Sequence, residues 1–377
     1  MLSHRYALGP FDNSCDRGTK RQARARVPAL RVRLDSSLPN AAGWVARRGW
    51  RRLRARFLFP SLVALLEEST SVVRSILLFA VAAAVACEPP PAPFGTEPVP
   101  TPVPFASEMS SPGVSEYGIT FGPDGAEAYF TRQGGGRRGR PQIFVSRFME
   151  DRWSRAEPAP FSTGWEDSPF LTPDGRRLLF SSRRDLPGWG PVRGNNNLWM
   201  VERTDSAWGA PRPLEGDVNR PRADDDDAPA RSEGGPVLLA SGELLYWTTE
   251  SAEWSSDLYV ADQLDGRFVN PRPLRLNSTG AESYPAVSPD GQLLVFQSLR
   301  DFNAIGEQDL YLAARTEFGW SAPRLLPEPI NSPTNDGYPS FSPDGRYFFF
   351  ASDRRAPGGA WSIYYVESAA LGVAAAP

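Results

Sequence analysis

Residues 338–354 read YPSFSPDGRYFFFASDR, and this stretch carries the pattern on which the fold depends. A short apolar segment leads into the tripeptide Pro-Asp-Gly at 343–345, and a second apolar segment follows it. Proline presets φ for a turn, aspartate accepts hydrogen bonds from the turn backbone, and glycine takes the left-handed conformation. The stretch therefore predicts a β-hairpin.

The same turn recurs along the chain. Pro-Asp-Gly occupies residues 123–125, 173–175, 289–291 and 343–345, and a degenerate copy, Ala-Ser-Gly, occupies 240–242. Successive turn glycines are 50, 67, 49 and 54 residues apart. A period near 50 residues is in the range of propeller blades and is too long for most helical repeats.

Each repeat contains four short segments rich in aromatic and β-branched residues, separated by Gly and Pro. This pattern predicts an all-β fold over residues 113–368: a β-propeller of about five four-stranded blades, with six blades as the alternative. Because the aromatic positions recur in every repeat, we expect them to pack between blades. The fifth repeat ends after its third strand, and we expect residues 98–112 to supply its outer strand and so to remove an open sheet edge.

The repeats resemble the Pro-Asp, WD-like propeller repeats of the TolB family. The resemblance is clearest at 338–354 and at 284–298, which read YPAVSPDGQLLVFQS, and it covers about residues 113–368. It implies a propeller but no single function, because such repeats occur in peptidases, surface lipoproteins and binding modules. The N-terminal α/β domain and sixth blade of TolB have no counterpart in this sequence.

Residues 72–86 read VVRSILLFAVAAAVA and are followed by Cys87. One basic residue before an apolar run that ends in small residues is typical of a secretory signal, and the run is too short to span a membrane. Residues 84–87 resemble a bacterial lipobox, which implies that Cys87 is a lipid attachment site. The alternative is a buried apolar helix of a globular domain.

Two further segments flank this signal. Residues 1–71 are basic: residues 1–56 hold thirteen Arg and one Lys against three Asp, a net charge of +11. We interpret 1–71 as a misplaced gene start, and the alternative is a disordered basic arm. The Pro-rich stretch 88–104 predicts a semi-rigid polyproline II spacer within a linker that spans 87–112. Residues 369–377 form a tail.

The body of the protein is acidic. The whole chain carries −3 and residues 57–86 carry −1, so residues 87–377 carry −13. An acidic body argues against nucleic acid as a partner, because phosphate binding needs a basic face. It favours cations or basic partners.

An acidic residue lies seven positions before each turn. These candidate residues for a binding ring at the channel mouth are Glu116, Glu166, Glu233, Glu282 and Asp336. The alternative is structural: when each hairpin is folded about its turn, Arg184, Arg300 and Arg354 come near the acids of their repeats, where an acid–arginine pair would act as a clasp. The first repeat offers Arg132, and the third offers Glu250 instead of an arginine.

Several kinds of site chemistry are excluded if the mature chain begins at Cys87, because His4 is the only histidine and Cys15 the only other cysteine. Ser-His-Asp triads and His- or Cys-based zinc sites are then unavailable. We expect no cofactor. Four successive carboxylates, Asp224, Asp225, Asp226 and Asp227, are interpreted as a solvated loop, with a weak calcium site as the alternative.

These observations favour a non-catalytic lipoprotein of the bacterial cell envelope, periplasmic or on the outer surface. It would be held to the membrane by its lipid anchor alone, with a propeller that binds an envelope protein or a glycan. The alternative is a glycan hydrolase or lyase, which needs a pair of carboxylates in different states.

Overall fold

The computed structural model describes residues 93–134, 139–188, 195–205, 207–219, 231–249, 255–300 and 304–372. These residues form a β-propeller of five antiparallel blades. The segments 1–71 and 72–86, Cys87 and the loop 224–227 lie outside the described residues, so the predictions made for them stay predictions.

Blades 2 and 3 have four strands each, in chain order from one edge to the other. The strands of blade 2 are β7 (Glu166–Leu171), β8 (Arg177–Ser182), β9 (Asn197–Glu202) and β10 (Arg212–Pro213). Those of blade 3 are β11 (Glu233–Leu238), β12 (Leu244–Thr249), β13 (Ser256–Leu264) and β14 (Arg267–Pro273).

Blades 1 and 4 have an outer strand divided into two short pieces. Blade 1 contains β2 (Ser115–Phe121), β3 (Glu127–Gln133), β4 (Pro141–Met149), β5 (Arg152–Trp153) and β6 (Glu157–Pro158). Blade 4 contains β15 (Glu282–Val287), β16 (Leu293–Ser298), β17 (Asp309–Thr316), β18 (Gly319–Trp320) and β19 (Arg324–Leu325).

Blade 5 takes its outer strand from the other end of the propeller sequence. Its strands are β20 (Asp336–Phe341), β21 (Tyr347–Ser352), β22 (Ser362–Glu367) and β1 (Val103–Pro104), in that order. In the pairing of β1 with β22, Val103 lies opposite Tyr365. The closing strand therefore lies within the segment 98–112 expected from the sequence. A 3₁₀ helix (Ser368–Leu371) follows β22 and buries Leu371.

The turn tripeptides form the tight links between the first and second strands. Their glycines take positive φ values of 67° to 90°, which explains why glycine survives even in the degenerate third copy. In the four Pro-Asp-Gly copies the aspartate side chain accepts a hydrogen bond from the backbone N–H two residues later, at 3.0 Å.

The first strands of the blades surround the axis. Each contacts the first strand of the next blade, and β20 contacts β2, so the ring is closed. Five apolar clusters fill the spaces between neighbouring blades, and the recurring aromatic residues belong to them; Phe130, Phe180, Phe296 and Phe350 are all buried. The closed ring leaves a channel whose wall is built from five equivalent strands.

The Pro-rich linker is not a free spacer from residue 93 onward. Phe94 packs edge-on against Phe121 at 5.0 Å, and Val99, Phe105 and Met109 are buried in the cluster that joins blades 1 and 5. Two backbone bonds fix it further, Glu367 N–H to Val99 O at 2.8 Å and Phe105 N–H to Ile363 O at 2.9 Å. These apolar anchors hold residues 93–104 against the propeller, so this part of the linker is not the free spacer that the sequence predicted.

Within the described part of the chain, no helix has the length and apolar character that crossing a membrane requires.

Candidate functional site

The five acids predicted from the repeats begin the inner strands, and their side chains are buried rather than presented at an open mouth. Their exposed fractions are 4% for Glu116, 0% for Glu166, 1% for Glu233, 0% for Glu282 and 0% for Asp336. We call these residues the acid layer. A buried carboxylate needs charge partners or hydrogen-bond donors, and the structure supplies both.

Four members of the acid layer pair with an arginine of the adjacent second strand or the turn after it. The nitrogen–oxygen distances are 2.7 Å for Arg132–Glu116, 3.0 Å for Arg184–Glu166, 3.1 Å for Arg300–Glu282 and 2.7 Å for Arg354–Asp336. The arrangement in these four blades is that of the clasp considered from the sequence. In the third blade the corresponding position, Glu250, lies outside the described residues.

Each clasp also fixes the loop that leads into its blade. In blade 2, Glu166 accepts hydrogen bonds from the Ser162 hydroxyl at 2.8 Å and from the Gly164 N–H at 2.7 Å. Arg184 donates to the carbonyl of Phe161 at 2.6 Å. The acid and the arginine therefore tie the connection between blades 1 and 2 to the hairpin of blade 2, which is a structural role.

The residue immediately after each acid breaks the repeat. These positions hold Tyr117, Asp167, Gly234, Ser283 and Gly337. Asp167 is thus the one acid at this position, next to an acid that every blade shares. Asp167 could have been identified from the sequence, because a functional group is expected to depart from the symmetry of the repeat. The candidate residues predicted from the sequence were the repeated acids instead.

A β-bulge follows in every blade and turns the chain at the axis. The bulge residues are Gly118, Ser168, Gly235, Tyr284 and Tyr338, all with φ between 49° and 60°. Tyrosine and serine rarely adopt this left-handed conformation, which costs on the order of 1 kcal/mol or more. Backbone strain repeated on two tyrosines at one site marks a place where side-chain direction matters.

Side chains from all five blades meet at the axis. Tyr338 packs against Tyr117 with ring centroids 4.4 Å apart and against Tyr284 at 4.2 Å, and Tyr284 meets Trp247 at 5.7 Å. These rings form an arc from blade 1 through blades 5 and 4 to blade 3. Asp167, from blade 2, completes the set, which we call the axial cluster.

The Asp167 carboxyl is poorly compensated. Its Oδ1 is shielded from solvent and has no hydrogen-bond partner. Burial raises the pKa of Asp167 to about 6, an effect that the Ser168 and Ser181 hydroxyls and the charge of Arg183 offset only in part. Arg183 is no ion-pair partner: its guanidinium stacks on Trp165 at 4.4 Å, and its Nε donates to Asn196 at 3.0 Å.

The tyrosines of the cluster stay neutral. Burial, followed by the neighbouring Tyr338 and by the charge of Asp167, raises the pKa of Tyr117 and of Tyr284; burial and the charge of Asp167 raise that of Tyr338. They therefore present rings and hydroxyls to the axis and add no negative charge there.

Two glycines make room for this arrangement. A Cβ on Gly234 would lie 2.5 Å from the Trp247 ring, and a Cβ on Gly337 would lie 2.2 Å from the Gln297 Oε1. Trp247 lies on the second strand of the same blade as Gly234, whereas Gln297 reaches Gly337 from the second strand of the neighbouring blade 4.

A cavity of about 620 Å³ opens above the axial cluster, on the side of the Pro-Asp-Gly turns. Its floor is formed by the bulge residues, and its wall by apolar side chains of the five inner strands: Ile119, Phe170, Val237, Val287 and Phe341. Arg315 is the one charged residue in its lining, stacked on Trp320 at 5.0 Å, and the lining contains no Asp or Glu. The volume is in the range of small-ligand sites.

The chemistry available at the axis is that of a single carboxyl group. A glycan hydrolase needs two carboxyl groups flanking the bond. Glu166, the nearest acid in sequence, is held by Arg184, and the cavity lining itself contains no carboxyl group. Among the residues described, no group of His, Cys, Asp and Glu side chains could hold a metal ion.

Neither a protein-family model nor a curated protein matches the chain. Solved structures do. A putative TolB from Agrobacterium tumefaciens is 16% identical over 67% of this chain and 77% of its own, with a TM-score of 0.40. An endo-arabinase from Bacteroides thetaiotaomicron is 14% identical over 72% of this chain and 97% of its own, with a TM-score of 0.43.

A puromycin-hydrolysing peptidase from Mycobacterium tuberculosis is 18% identical over 72% of this chain, with a TM-score of 0.37, and this chain spans 39% of that protein. Two of the three similar proteins are named as enzymes, and at such low identity none of the three assigns an activity to this chain.

Proposed function

We propose that this protein is a non-catalytic binding module of the bacterial cell envelope, carried on a lipid attached to Cys87. Its propeller takes a protein partner at the cavity on the Pro-Asp-Gly face. The observation that carries the proposal is the cavity itself: all five blades contribute to it, its wall is mainly apolar, and its lining contains no carboxylate.

An apolar wall favours a protein segment over a glycan. Sugars need several hydrogen-bonding groups at their hydroxyls, whereas apolar side chains gain free energy when they leave water. The net charge of −13 on residues 87–377 adds a preference for a basic partner.

The enzyme alternative lacks its second carboxyl group. Asp167, with its raised pKa, could act as a general base, but four members of the acid layer are paired with arginine and point into the clasps. A carboxylate-based hydrolase or lyase is therefore the less favoured function.

The partner experiment uses a variant that fills the mouth of the cavity. Ala240 is exposed on the turn of blade 3 and lines the mouth, so Ala240→Trp should obstruct it without disturbing the core. Ala207→Trp, on an exposed hairpin of blade 2 away from the cavity, is the matched control.

Partners are to be captured by cross-linking in intact cells, identified by mass spectrometry, and purified for affinity measurements. We expect Ala240→Trp to lower the affinity for the purified partner by at least tenfold and Ala207→Trp to leave that affinity unchanged. Equal affinity for parent and Ala240→Trp, or turnover of a polysaccharide by the purified protein, would refute the proposal.

The anchor is tested separately. Cys87→Ser should release the protein from membranes in soluble form, and intact-mass analysis should show a chain that begins at Cys87 and carries lipid. A mature chain that retains residues 1–86 would contradict the anchor.

A further inference from the structure

Among the described residues, Asp167 is the acidic residue of the axial cluster, and it has no ion-pair partner there. Four of the five acid-layer residues have an arginine at 2.7 to 3.1 Å, whereas no ion pair forms at Asp167 and its Oδ1 has no partner. A carboxylate that is shielded and unpaired is costly to keep in a folded protein. Its presence calls for a compensating group that arrives from outside the chain.

The surroundings of Asp167 suit a cation. Tyr117, Tyr284 and Tyr338 lie close enough to Asp167 for its charge to raise their pKa values, and they remain neutral, so these rings bring no positive charge that would compete with a cation. A cation beside aromatic faces and a carboxylate is favoured by both, and more strongly where water is excluded.

A ligand that reaches the floor of the cavity meets residues that adjoin this charge. Ser168 follows Asp167 directly in the chain and lies in the cavity floor. Tyr284 and Tyr338 also belong both to the floor and to the axial cluster. Arg315, which would repel a cation, lies at the level of the turns beside Gln292, whose carbonyl accepts its N–H at 2.7 Å.

We propose that the channel selects a ligand with a cationic head, a primary amine or guanidinium, on an apolar stem, and that Asp167 is the residue that determines this preference. The stem occupies the apolar wall and the head reaches the floor next to Asp167. This inference rests on the proposed function in its choice of cavity, and it names the chemistry of the segment that the partner inserts. A lysine or arginine side chain flanked by apolar residues has that chemistry.

The test uses three probes that share one apolar body: 4-phenylbutylammonium, 4-phenylbutanol and 4-phenylbutyrate. Their affinities for the full propeller are measured by ligand-observed NMR and calorimetry at pH 7.5. We expect the parent to bind the ammonium at least about tenfold more tightly than the alcohol and the carboxylate most weakly.

Asp167→Asn should reduce the affinity for the ammonium to that for the alcohol and leave the alcohol within about twofold of the parent. Asp167→Glu, which keeps the charge, should retain the preference. Asp205→Asn, the same substitution at an exposed hairpin, is the matched control and should behave as the parent.

Equal binding of the ammonium and the alcohol by the parent, a preference that persists in Asp167→Asn, or no binding of any probe would each overturn the inference. A five-residue apolar peptide with one central lysine, compared with its norleucine analogue, distinguishes a lysine side chain from a free amine as the source of the head. A partner that loses affinity for Ala240→Trp but binds Asp167→Asn as well as the parent would refute the cationic head and leave the proposed function intact.

Discussion

Glu166 and Asp167 are neighbours in one strand, but they differ in their recurrence among the blades, in their charge partners and in their position relative to the axis. Glu166 is repeated in every blade, has no exposed surface and is held by Arg184 and three residues of the preceding loop. Asp167 occurs in one blade, has an unpartnered oxygen and lies at the axis among aromatic rings. In this repeat protein the acid shared by the blades stabilises the fold, whereas the acid that occurs in a single blade is the candidate for function.

The largest expected effect concerns the clasp. Glu166→Gln leaves the charge of Arg184 unpaired, and Arg184→Met leaves that of Glu166 unpaired; because both side chains are mostly buried, each change should cost about 3–5 kcal/mol. The double variant should cost less than the sum of the two. The measurement is a double-mutant cycle read by chemical denaturation. Small, additive effects would show that Glu166 and Arg184 do not form a stabilising clasp.

Asp167→Asn should instead raise the free energy of unfolding. The pKa of Asp167 is about 6 in the folded protein against 3.8 for the free side chain, so ionisation destabilises the folded state. A shift of about two pKa units corresponds to about 3 kcal/mol, an upper limit on the gain in stability of Asp167→Asn near pH 7.5.

The pH dependence of this gain follows from the direction of the shift. The destabilisation is complete above pH 6 and disappears as the pH falls below 3.8, because a protonated Asp167 carries no charge to bury. Urea unfolding of parent and Asp167→Asn from pH 4 to 8 should therefore show a difference that shrinks on acidification. A parent that is the more stable protein at pH 7.5 would show that an unseen interaction compensates the carboxylate.

Gly234→Ala tests whether the axial cluster is closely packed. The new methyl group would lie 2.5 Å from the Trp247 ring, which also packs edge-on against Tyr284. We expect a loss of about 1–3 kcal/mol, typical of overpacking. Gly134→Ala, where φ is likewise not positive and an added Cβ makes only an ordinary contact with Val114 at 3.5 Å, is the matched control. Equal losses for the two variants would mean that Trp247 moves freely.

The smallest effect is expected at an exposed pair with the same chemistry as the clasp. Arg212 and Glu202 are also 3.0 Å apart, but 47% and 55% of their side chains are exposed. Glu202→Gln should change the free energy of unfolding by no more than about 0.5 kcal/mol. A loss as large as that of Glu166→Gln would show that burial does not explain the strength of the clasp.

Much of the fold could be predicted from the sequence because its determinants are local. The Pro-Asp-Gly turns need a left-handed glycine and a capping aspartate wherever they occur, and short apolar segments flank them on both sides. The period of the turns then gives the number of blades. The acid layer was also visible, since a repeated position appears as soon as the copies are aligned.

The docking of the linker was harder to predict from the sequence. A run of prolines predicts an extended chain, and such a chain is typical of a spacer. Its attachment depends on Phe94, Val99 and Phe105, whose partners lie in blades 1 and 5, more than 200 residues apart along the chain. Nothing within the linker itself indicates that these partners exist.

The propeller, its five-fold repeat and the acids that the blades share can be predicted from the sequence alone, because those features are set by backbone preferences and short-range pairing. That Asp167 and not Glu166 faces the axis depends on how the blades pack in three dimensions. A regular strand would place the two side chains on opposite faces of the sheet, but which face meets the channel depends on the bulge at Ser168 and on the curvature that the neighbouring blades impose. A charge becomes unpaired, and so available to a ligand, when five blades close around it.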